Sequence, residues 1–336
     1  MNKKVFFIAI GSAIALIIIV LILIVVLGNQ TETKTINITL NNQNTSNSTP
    51  PEPDNTTDKP GKEDEDQREK IKGEITYAKA EDGISIPIPP TFTYVGGESW
   101  HGAIIEDKDG NQFIWVPVED YNKYTRQFFA NNGEDESINS EAAFEEYSIK
   151  DILSYNSEYD DSIKNYHGFY VARYEAGKEK TAGKDYAISK PDVLPWTQVT
   201  WQKAKSASEE MYVENDYFSS DLINSYAWDT ICNWLRDTGT NIDDSVEYGN
   251  YQNSANGVNM VTNTAANSKW ETNNIFDMGG NVWEYTTEEI GDHELKHIGR
   301  GGGYWNEGDK YPISSRASTE DGSNIDIGFR VVLYLK

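Results

Sequence analysis

Asn274-Ile-Phe-Asp-Met-Gly-Gly-Asn-Val-Trp-Glu-Tyr285 constrains this chain more than any other stretch. Gly279 and Gly280 permit backbone angles that a side chain would forbid. Asp277, Asn281 and Glu284 supply oxygens around them, and Phe276, Trp283 and Tyr285 supply apolar area. The expected object is a crowded turn. Arg300-Gly-Gly-Gly-Tyr-Trp305 repeats the theme. Gly328-Phe-Arg-Val-Val-Leu-Tyr334 then sets Phe329, Val331 and Leu333 against Arg330, Val332 and Tyr334, the alternation of a strand. Glycines among aromatics, closed by a strand, predict a loop-rich core held by specific contacts.

The N-terminal end says where such a core sits. Met1 to Lys4 is short and basic, and residues 5–27 are an unbroken apolar run. At about 1.5 Å per residue the run crosses a hydrocarbon core of about 30 Å. A cleaved signal peptide would carry a shorter apolar region, about 7–15 residues, and a small-residue cleavage site. Leu27-Gly-Asn-Gln30 is a poor site, so the run reads as an uncleaved transmembrane signal anchor. Lys3 and Lys4 precede the span, which puts the N-terminus in the cytoplasm and the rest outside. The expected location is the cell membrane, single-pass, with an extracytoplasmic C-terminal domain.

Residues 28–72 are Asn/Thr/Ser-rich, then Pro-rich (Pro50, Pro51, Pro53, Pro60), then charged (Glu63-Asp-Glu-Asp66). With so few apolar side chains, burial cannot offset chain entropy, and a disordered stalk is expected. Asn37, Asn44, Asn47 and Asn55 each begin an Asn-x-Ser/Thr sequon. An Asn/Thr-rich linker also produces sequons by chance, so both readings stand. From Gly73 the composition turns globular. The expected order is a cytoplasmic tip 1–4, an anchor 5–27, a stalk 28–72 and an ectodomain 73–336.

Charge narrows the partners. The formal net charge of −25 repels phosphate backbones, which argues against nucleic acid. The chain has one cysteine, Cys232, so no intramolecular disulfide staples it and a large core must hold it together.

Within the ectodomain, residues 84–90 read as extended, an edge strand or a preceding arm, because Pro87, Pro89 and Pro90 forbid helix. Residues 91–95 and 112–118 read as strands, with a hairpin-type turn at 107–110, and 166–175 alternates as a further strand. A short helix is expected at 142–153. Thr200 is the expected N-cap of a helix over 202–212, with Trp201, Ala204 and Ser208 on one face. A second amphipathic helix is expected over 221–235, with Leu222, Tyr226, Ile231 and Trp234 in its apolar stripe. Residues 239–273 read as a long ordered loop.

The blocks Asp277-Met-Gly-Gly-Asn-Val-Trp-Glu-Tyr285, Arg300-Gly-Gly-Gly-Tyr-Trp305, Ser315-Arg-Ala-Ser318 and Ile327-Gly-Phe-Arg330 carry a resemblance. Their order and spacing resemble the C-terminal half of the formylglycine-generating enzyme (sulfatase-modifying factor) family. The resemblance implies an α+β variant of the C-type lectin fold, loop-rich, with short antiparallel strands and two main helices. The family's usual Leu-Pro-Thr-Glu before the second helix is absent here. Its domain also serves sulfoxide synthases and binding proteins diversified by retroelements, so the resemblance speaks to fold more than to activity.

Several chemistries follow from it. Formylglycine-generating enzymes oxidise a substrate cysteine with a copper ion held by two thiols. Those thiols correspond to the interval from Trp305 to Arg316, which holds no cysteine. Cu(I) needs soft ligands, and neither Asn306 nor Tyr311 is one. Cys232 reads as a core residue. The sulfoxide synthases need three histidines on iron; here only His101, His167, His293 and His297 exist, and the last two read as surface residues in a loop or hairpin. No copper or iron is therefore expected.

Calcium is the cation the resemblance favours, held by Asp277, Gly280, Val282 and Glu284 in a structural role, with hard oxygens at a glycine turn. The competing reading has Asp277 and Glu284 capping turns and pairing with arginine. Arg300, Arg316 and Arg330 are expected near this turn, at least one buried against Glu284 or Asp277. With Trp283 and Phe329 they form the expected structural set. Tyr304, Trp305, Asn306, Asp309, Tyr311, Ser314, Ser323 and Asn324 mix aromatic and small polar groups in the manner of a paratope. In the related lectin-fold proteins this segment is the binding face.

The leading expectation is non-catalytic binding or display of an extracellular protein or glycan through residues 304–326, with the membrane engaged by the N-terminal helix. The alternative is a sulfatase-modifying-factor-type oxidase or another metal-dependent modifying enzyme with non-standard ligands. A structural component of the cell envelope is the third reading.

Overall fold

The structure is a computed structural model that describes residues 68–129, 133, 138, 140, 141, 150, 151, 157–290, 296–320 and 324–336. The expected anchor, nearly all of the stalk, most of the helix expected at 142–153, and His293 and Ser323 lie outside the described residues. Among the described residues no helix is long and apolar enough to cross a membrane. Packing begins ahead of Gly73: Arg68 Nη1 donates to the Met211 carbonyl at 2.9 Å, and Ile71 rests on the core.

In chain order, β1 (Thr76–Lys79) and β2 (Ser85–Ile88) form a hairpin. β3 (Phe92–Gly96), β4 (Ile104–Asp107) and β5 (Gln112–Pro117) form an antiparallel meander. Its β4–β5 turn is fixed by the Asp107 carboxylate, which accepts from the backbone of Asp109 and of Asn111, each at 2.9 Å. β6 (Lys150–Asp151), α1 (Ser157–Tyr166) and β7 (Gly168–Ala172) follow, then the hairpin β8 (Gly177–Thr181) with β9 (Lys184–Ile188). Next come α2 (Trp201–Glu209), β10 (Phe218–Leu222) and α3 (Ser225–Asp237). The final third holds β11 (Glu271–Thr272), β12 (Ile275–Phe276), β13 (Trp283–Glu289), β14 (Lys296–Arg300), β15 (Arg316–Glu320), β16 (Ile327–Phe329) and β17 (Val331–Leu335).

One six-stranded antiparallel sheet runs β10-β17-β7-β5-β4-β3. Side chains alternate across a strand, so a central strand with cores on both faces must be apolar throughout. All five residues of β7 are buried. Tyr170 and Ala172 join Phe113, Trp115, Val331 and Leu333 in one core, under Trp201, Ala204 and Ala207 of α2. Phe169 and Val171 join Ile114, Val116, Val332 and Tyr334 in the other, under Ile163 of α1 and Ala227, Trp228 and Ile231 of α3. Full burial of one such side chain stabilises the fold by about 1.5–3 kcal/mol. The second sheet runs β15-β14-β13-β16, with β6 also on β13 and a parallel pairing of β13 with β16.

Three expectations are corrected. The closing segment is two strands rather than one: β16 belongs to the second sheet and β17 to the first, and the chain changes sheets at Arg330. The helix expected over 221–235 starts at Ser225, because Phe218–Leu222 pairs with β17 and Asn224 Oδ1 caps α3 by accepting from Ala227 N at 2.8 Å. Leu222 and Tyr226 lie four apart, which imitates a helical stripe, but Leu222 belongs to a strand. α2 and α3 are the two main helices expected, and α1 is a further helix that was not anticipated. His297 is not on the surface. It lies in β14, 1% exposed, with its ring stacked on Trp201 at 4.0 Å.

Candidate functional site

The glycine-aromatic blocks meet in a buried knot. Arg330 Nε donates to Glu284 Oε1 and Oε2 at 3.1 and 2.9 Å. Its Nη1 donates to the Ala172 carbonyl at 3.0 Å, and its Nη2 to the carbonyls of Phe276 and Asp277 at 3.0 and 3.3 Å. The residue that changes sheets is thus also the one that ties β7, β12 and β13 together. Glu175, just beyond β7, accepts from Asn281 Nδ2 at 2.6 Å and from Val282 N at 3.1 Å. Asp277 Oδ2 accepts from Ala265 N at 3.1 Å, while Asp277 Oδ1 is buried without a partner.

Three carboxylates thus surround one guanidinium, all buried. Burial pushes Asp277 up to about 7. Burial, then the Asp277 and Glu284 charges, push Glu175 well above the usual carboxylate range. Burial raises Glu284 as well, against the pull of Arg330. Burial works against the Arg330 charge, but the surrounding carboxylates more than restore it.

Arg300 and Arg316 form a separate buried cluster with Asp229 of α3 and Glu288 of β13. Arg300 reaches Asp229 at 2.7 Å and Glu288 at 3.5 Å, and Arg316 Nε reaches Glu288 at 3.1 Å. Arg316 Nη2 closes the ring on Asp229 Oδ2. Two cations meet two anions, every one of them fully buried.

Above the knot, Asn281 ties the glycine turn to the 250–262 loop and to the loop at Tyr304. Its backbone N–H donates to the Asn250 carbonyl and its carbonyl accepts from Tyr304 N, each at 3.0 Å. Its Oδ1 accepts from Thr262 N at 2.9 Å. Asn250 in turn donates to the Met260 carbonyl at 2.8 Å and accepts from Val258 N at 3.0 Å. Gly280 lies at φ 76, and a Cβ there would stand 2.6 Å from Asn250 O, so only glycine lets the chains cross. Gly279 has no such backbone angle; it is needed because a Cβ would stand 2.7 Å from the Tyr251 hydroxyl. The 191–198 loop joins through Thr264 N to Val193 O at 2.8 Å, and the 324–326 loop through Trp283 N to Asp326 O at 2.9 Å.

These loops carry five of the large apolar side chains left in water: Leu194, Val258, Met260, Trp305 and Ile325. Trp305 is 50% exposed and its indole donates to Asp326 at 2.8 Å.

The residues expected on a ligand face divide accordingly. Trp305, Asp309 and Asn324 are exposed, and Tyr304 and Tyr311 are half-buried, with Tyr311 edge-on to Trp283. Asn306 and Ser314 are corrected: both are buried. Asn306 Oδ1 holds Gly303 N at 2.9 Å, and the Ser314 carbonyl takes a bond from Arg300. Short polar side chains in a glycine-rich loop serve as turn anchors as readily as ligand contacts. Of the structural set, Trp283 and Phe329 share one core, and Arg300, Arg316 and Arg330 are fully buried.

Sequence reasoning missed Glu175, Asn250 and Asp229. A signal existed only for Glu175, a carboxylate directly after a buried strand. Asn250 is one amide among many in an Asn-rich loop.

The metal expectations can be set against these positions. Both Glu284 oxygens bond Arg330, so among the four residues expected to hold calcium only Asp277 has a side-chain oxygen to spare. Among the described residues no group of three or more His, Cys, Asp or Glu side chains is placed to hold a metal ion. Cys232, although distant in sequence from the Trp305–Arg316 interval, lies next to it, with Sγ 4.0 Å from the Ile313 carbonyl. It is one buried thiol, pushed up to about 12 by burial, and does not fit a copper site that needs two thiolates.

The model of the sulfatase-modifying factor enzyme 1-like domain matches residues 107–335, more than half of the chain. Among solved structures, the chain is similar to PvdO from Pseudomonas aeruginosa at 12% identity, covering 69% of this chain and 98% of that one, with a TM-score of 0.41. It is similar to CarF at 14% identity, covering 50% and 87%, with a TM-score of 0.35. It is similar to Treponema denticola variable protein 1 at 13% identity, covering 76% and 98%, with a TM-score of 0.28. No curated protein matches. With its match running through the knot and all three buried arginines, this chain belongs to the sulfatase-modifying factor enzyme 1-like domain family.

Proposed function

We propose that the protein is a membrane-anchored, extracytoplasmic binding or display protein. Its sulfatase-modifying-factor-like domain is non-catalytic and meets its ligand at the loops around residues 304–326. The observation that carries this reading is the platform: four loops joined by hydrogen bonds through Asn281, Asn250, Thr264 and Trp283, presenting large apolar groups beside amides. Exposed apolar side chains on a rigid frame mark interaction surfaces. Rigid anchoring also lowers the ordering cost of binding.

The chemistry of the thiol supports the same reading. Cys232 is the chain's one cysteine, and its raised value keeps it a thiol at neutral pH. A calcium ion would serve the frame rather than a reaction. Asp277 would hold it with the backbone carbonyls of Gly280 and Val282, offsetting the excess of buried carboxylate.

Metal analysis of the full-length protein, paired with an oxidation assay on a cysteine-containing peptide, tests the proposal. Calcium or no metal, with no oxidation, is the expected result. Stoichiometric copper or iron together with turnover would establish the oxidase alternative. Protease treatment of intact cells tests the location: cleavage of residues 73–336 from outside is expected, and full protection contradicts it.

A further inference from the structure

The buried ring of Arg300, Arg316, Asp229 and Glu288 also grips a half-buried residue by its backbone. Gln127 N donates to Asp229 Oδ2 at 2.8 Å, and the Gln127 carbonyl accepts from Arg316 Nη2 at 3.1 Å. A backbone held on both sides presents its side chain in a fixed direction. One turn along α3 from Asp229, Asn233 meets that side chain, its Nδ2 donating to Gln127 Oε1 at 2.9 Å. Both amides are half-buried. Their mutual bond leaves the Gln127 Nε2 donor and the Asn233 Oδ1 acceptor for another molecule.

The pair lines an open cleft of about 350 Å³ between α3 and residues 117–127. Small-molecule sites span about 300–1,000 Å³. None of the platform loops contributes to it. Trp100 supplies a half-buried aromatic wall, fixed to α3 by Trp234 Nε1, which donates to the Trp100 carbonyl at 2.7 Å. Asn122, Thr125 and Thr230 add an amide and two hydroxyls. The charged side chains of the cleft are Lys123 and Arg236 against Glu119 and Asp237. Glu119 takes Lys123 at 3.1 Å, and Arg236 takes Asp243 at 3.2 Å while its guanidinium lies over Phe129. Asp237 is exposed at the end of α3. The cleft therefore offers balanced charge, clustered neutral hydrogen-bonding groups and one broad ring.

We infer that this cleft binds a neutral sugar unit of a glycan. A hydroxyl both donates and accepts, so two neighbouring sugar hydroxyls accept from Gln127 Nε2 and donate to Asn233 Oδ1. The C–H face of a pyranose ring is apolar and flat enough to cover the Trp100 indole. Because the ring beneath sets the amide pair before any ligand arrives, the ordering cost of binding is low. A charged ligand gains little, since the ion pairs at the rim are exposed and already satisfied. A peptide strand also takes amide bonds, but it carries one donor and one acceptor per residue, whereas this wall crowds amides and hydroxyls around one indole.

The test uses the full-length protein in detergent and isothermal titration calorimetry, with cellotriose, maltotriose and chitotriose as neutral probes. Trigalacturonate and an uncharged Ala/Ser peptide run alongside. Saturable binding of at least one neutral trisaccharide is expected, steady to within about twofold from about 0.05 to about 0.5 M salt. Gln127→Ala and Asn233→Ala should each weaken it about tenfold through a lost hydrogen-bonding partner. Trp100→Leu should also weaken it about tenfold, with melting unchanged. If Trp100→Leu melts early, the two amide variants decide, since both side chains are half-exposed. Removing the rim ion pair with Glu119→Ala and Lys123→Ala together should leave the affinity within about twofold. The inference is overturned by no saturable binding of any neutral trisaccharide, by tighter binding of the peptide or of trigalacturonate, by wild-type affinity in both amide variants, or by lost binding in the ion-pair variant.

Discussion

The two buried charge clusters solve one problem in different ways. Around Arg300 and Arg316, two guanidinium groups and the carboxylates of Asp229 and Glu288 close a ring in which each charge faces its opposite. Around Arg330, one guanidinium faces Glu175, Asp277 and Glu284, and one carboxylate oxygen has no partner. A balanced buried cluster is complete as it stands, so removing a member strands the others. An unbalanced one is complete only with protons or a cation added. The difference separates a joint that only holds the fold from one that answers to its surroundings, and the platform stands on the second.

The same substitution therefore has opposite effects in the two places. Asp229→Asn leaves two buried cations with one carboxylate and is expected to cost about 3–5 kcal/mol by denaturant titration. A loss no larger than that of a surface change would undo the contrast. Calcium comes next in size. At a hundredfold excess over its dissociation constant it is expected to stabilise the wild type by about 2.7 kcal/mol. In Asp277→Asn the response should disappear, and a response equal to wild type would remove Asp277 from the site.

A smaller effect is expected from Asp277→Asn without divalent cations. The ordinary value for this carboxyl is 3.8 and its folded value about 7, so the folded state keeps a proton that the unfolded state has released. Its contribution to stability is complete below about pH 4 and is lost as pH rises towards about 7. The asparagine variant should show a flatter profile across that window and equal or exceed wild-type stability at pH 8. A profile parallel to wild type contradicts the assignment. Smallest of all, Trp305→Ser with Met260→Ser should change stability by no more than about 0.5 kcal/mol, since both side chains stand in water.

The contrast also shows what the sequence can carry. The knot was legible because glycines, carboxylates and an arginine before a strand are types with few other uses in such density. The family resemblance fixed their order. Arg330 against Glu284 follows from that pattern. The ring of Asp229 with Arg300 and Arg316 does not, because Asp229 lies inside an amphipathic helix and its partners are 71 and 87 residues away. Leu222 and Tyr226 show a local ambiguity: their spacing suits a helix, and only the pairing of β10 with β17 makes Leu222 a strand residue. Asn306 and Ser314 show another, since turn anchors and ligand contacts share a composition. The role of the 250–264 loop was hidden because hydrogen bonds to Asn281 leave no local trace in an Asn-rich segment. Cys232 beside Ile313 is the clearest case of sequence distance misleading about space.

The account rests on the four-loop platform being the surface by which this domain does its work. The most direct measurement applies the wild-type protein and the Trp305→Ser, Met260→Ser double variant side by side to protein and glycan arrays, after confirming equal melting. The account predicts that the wild type retains specific partners and that the double variant loses them. Undiminished binding by the double variant would contradict it.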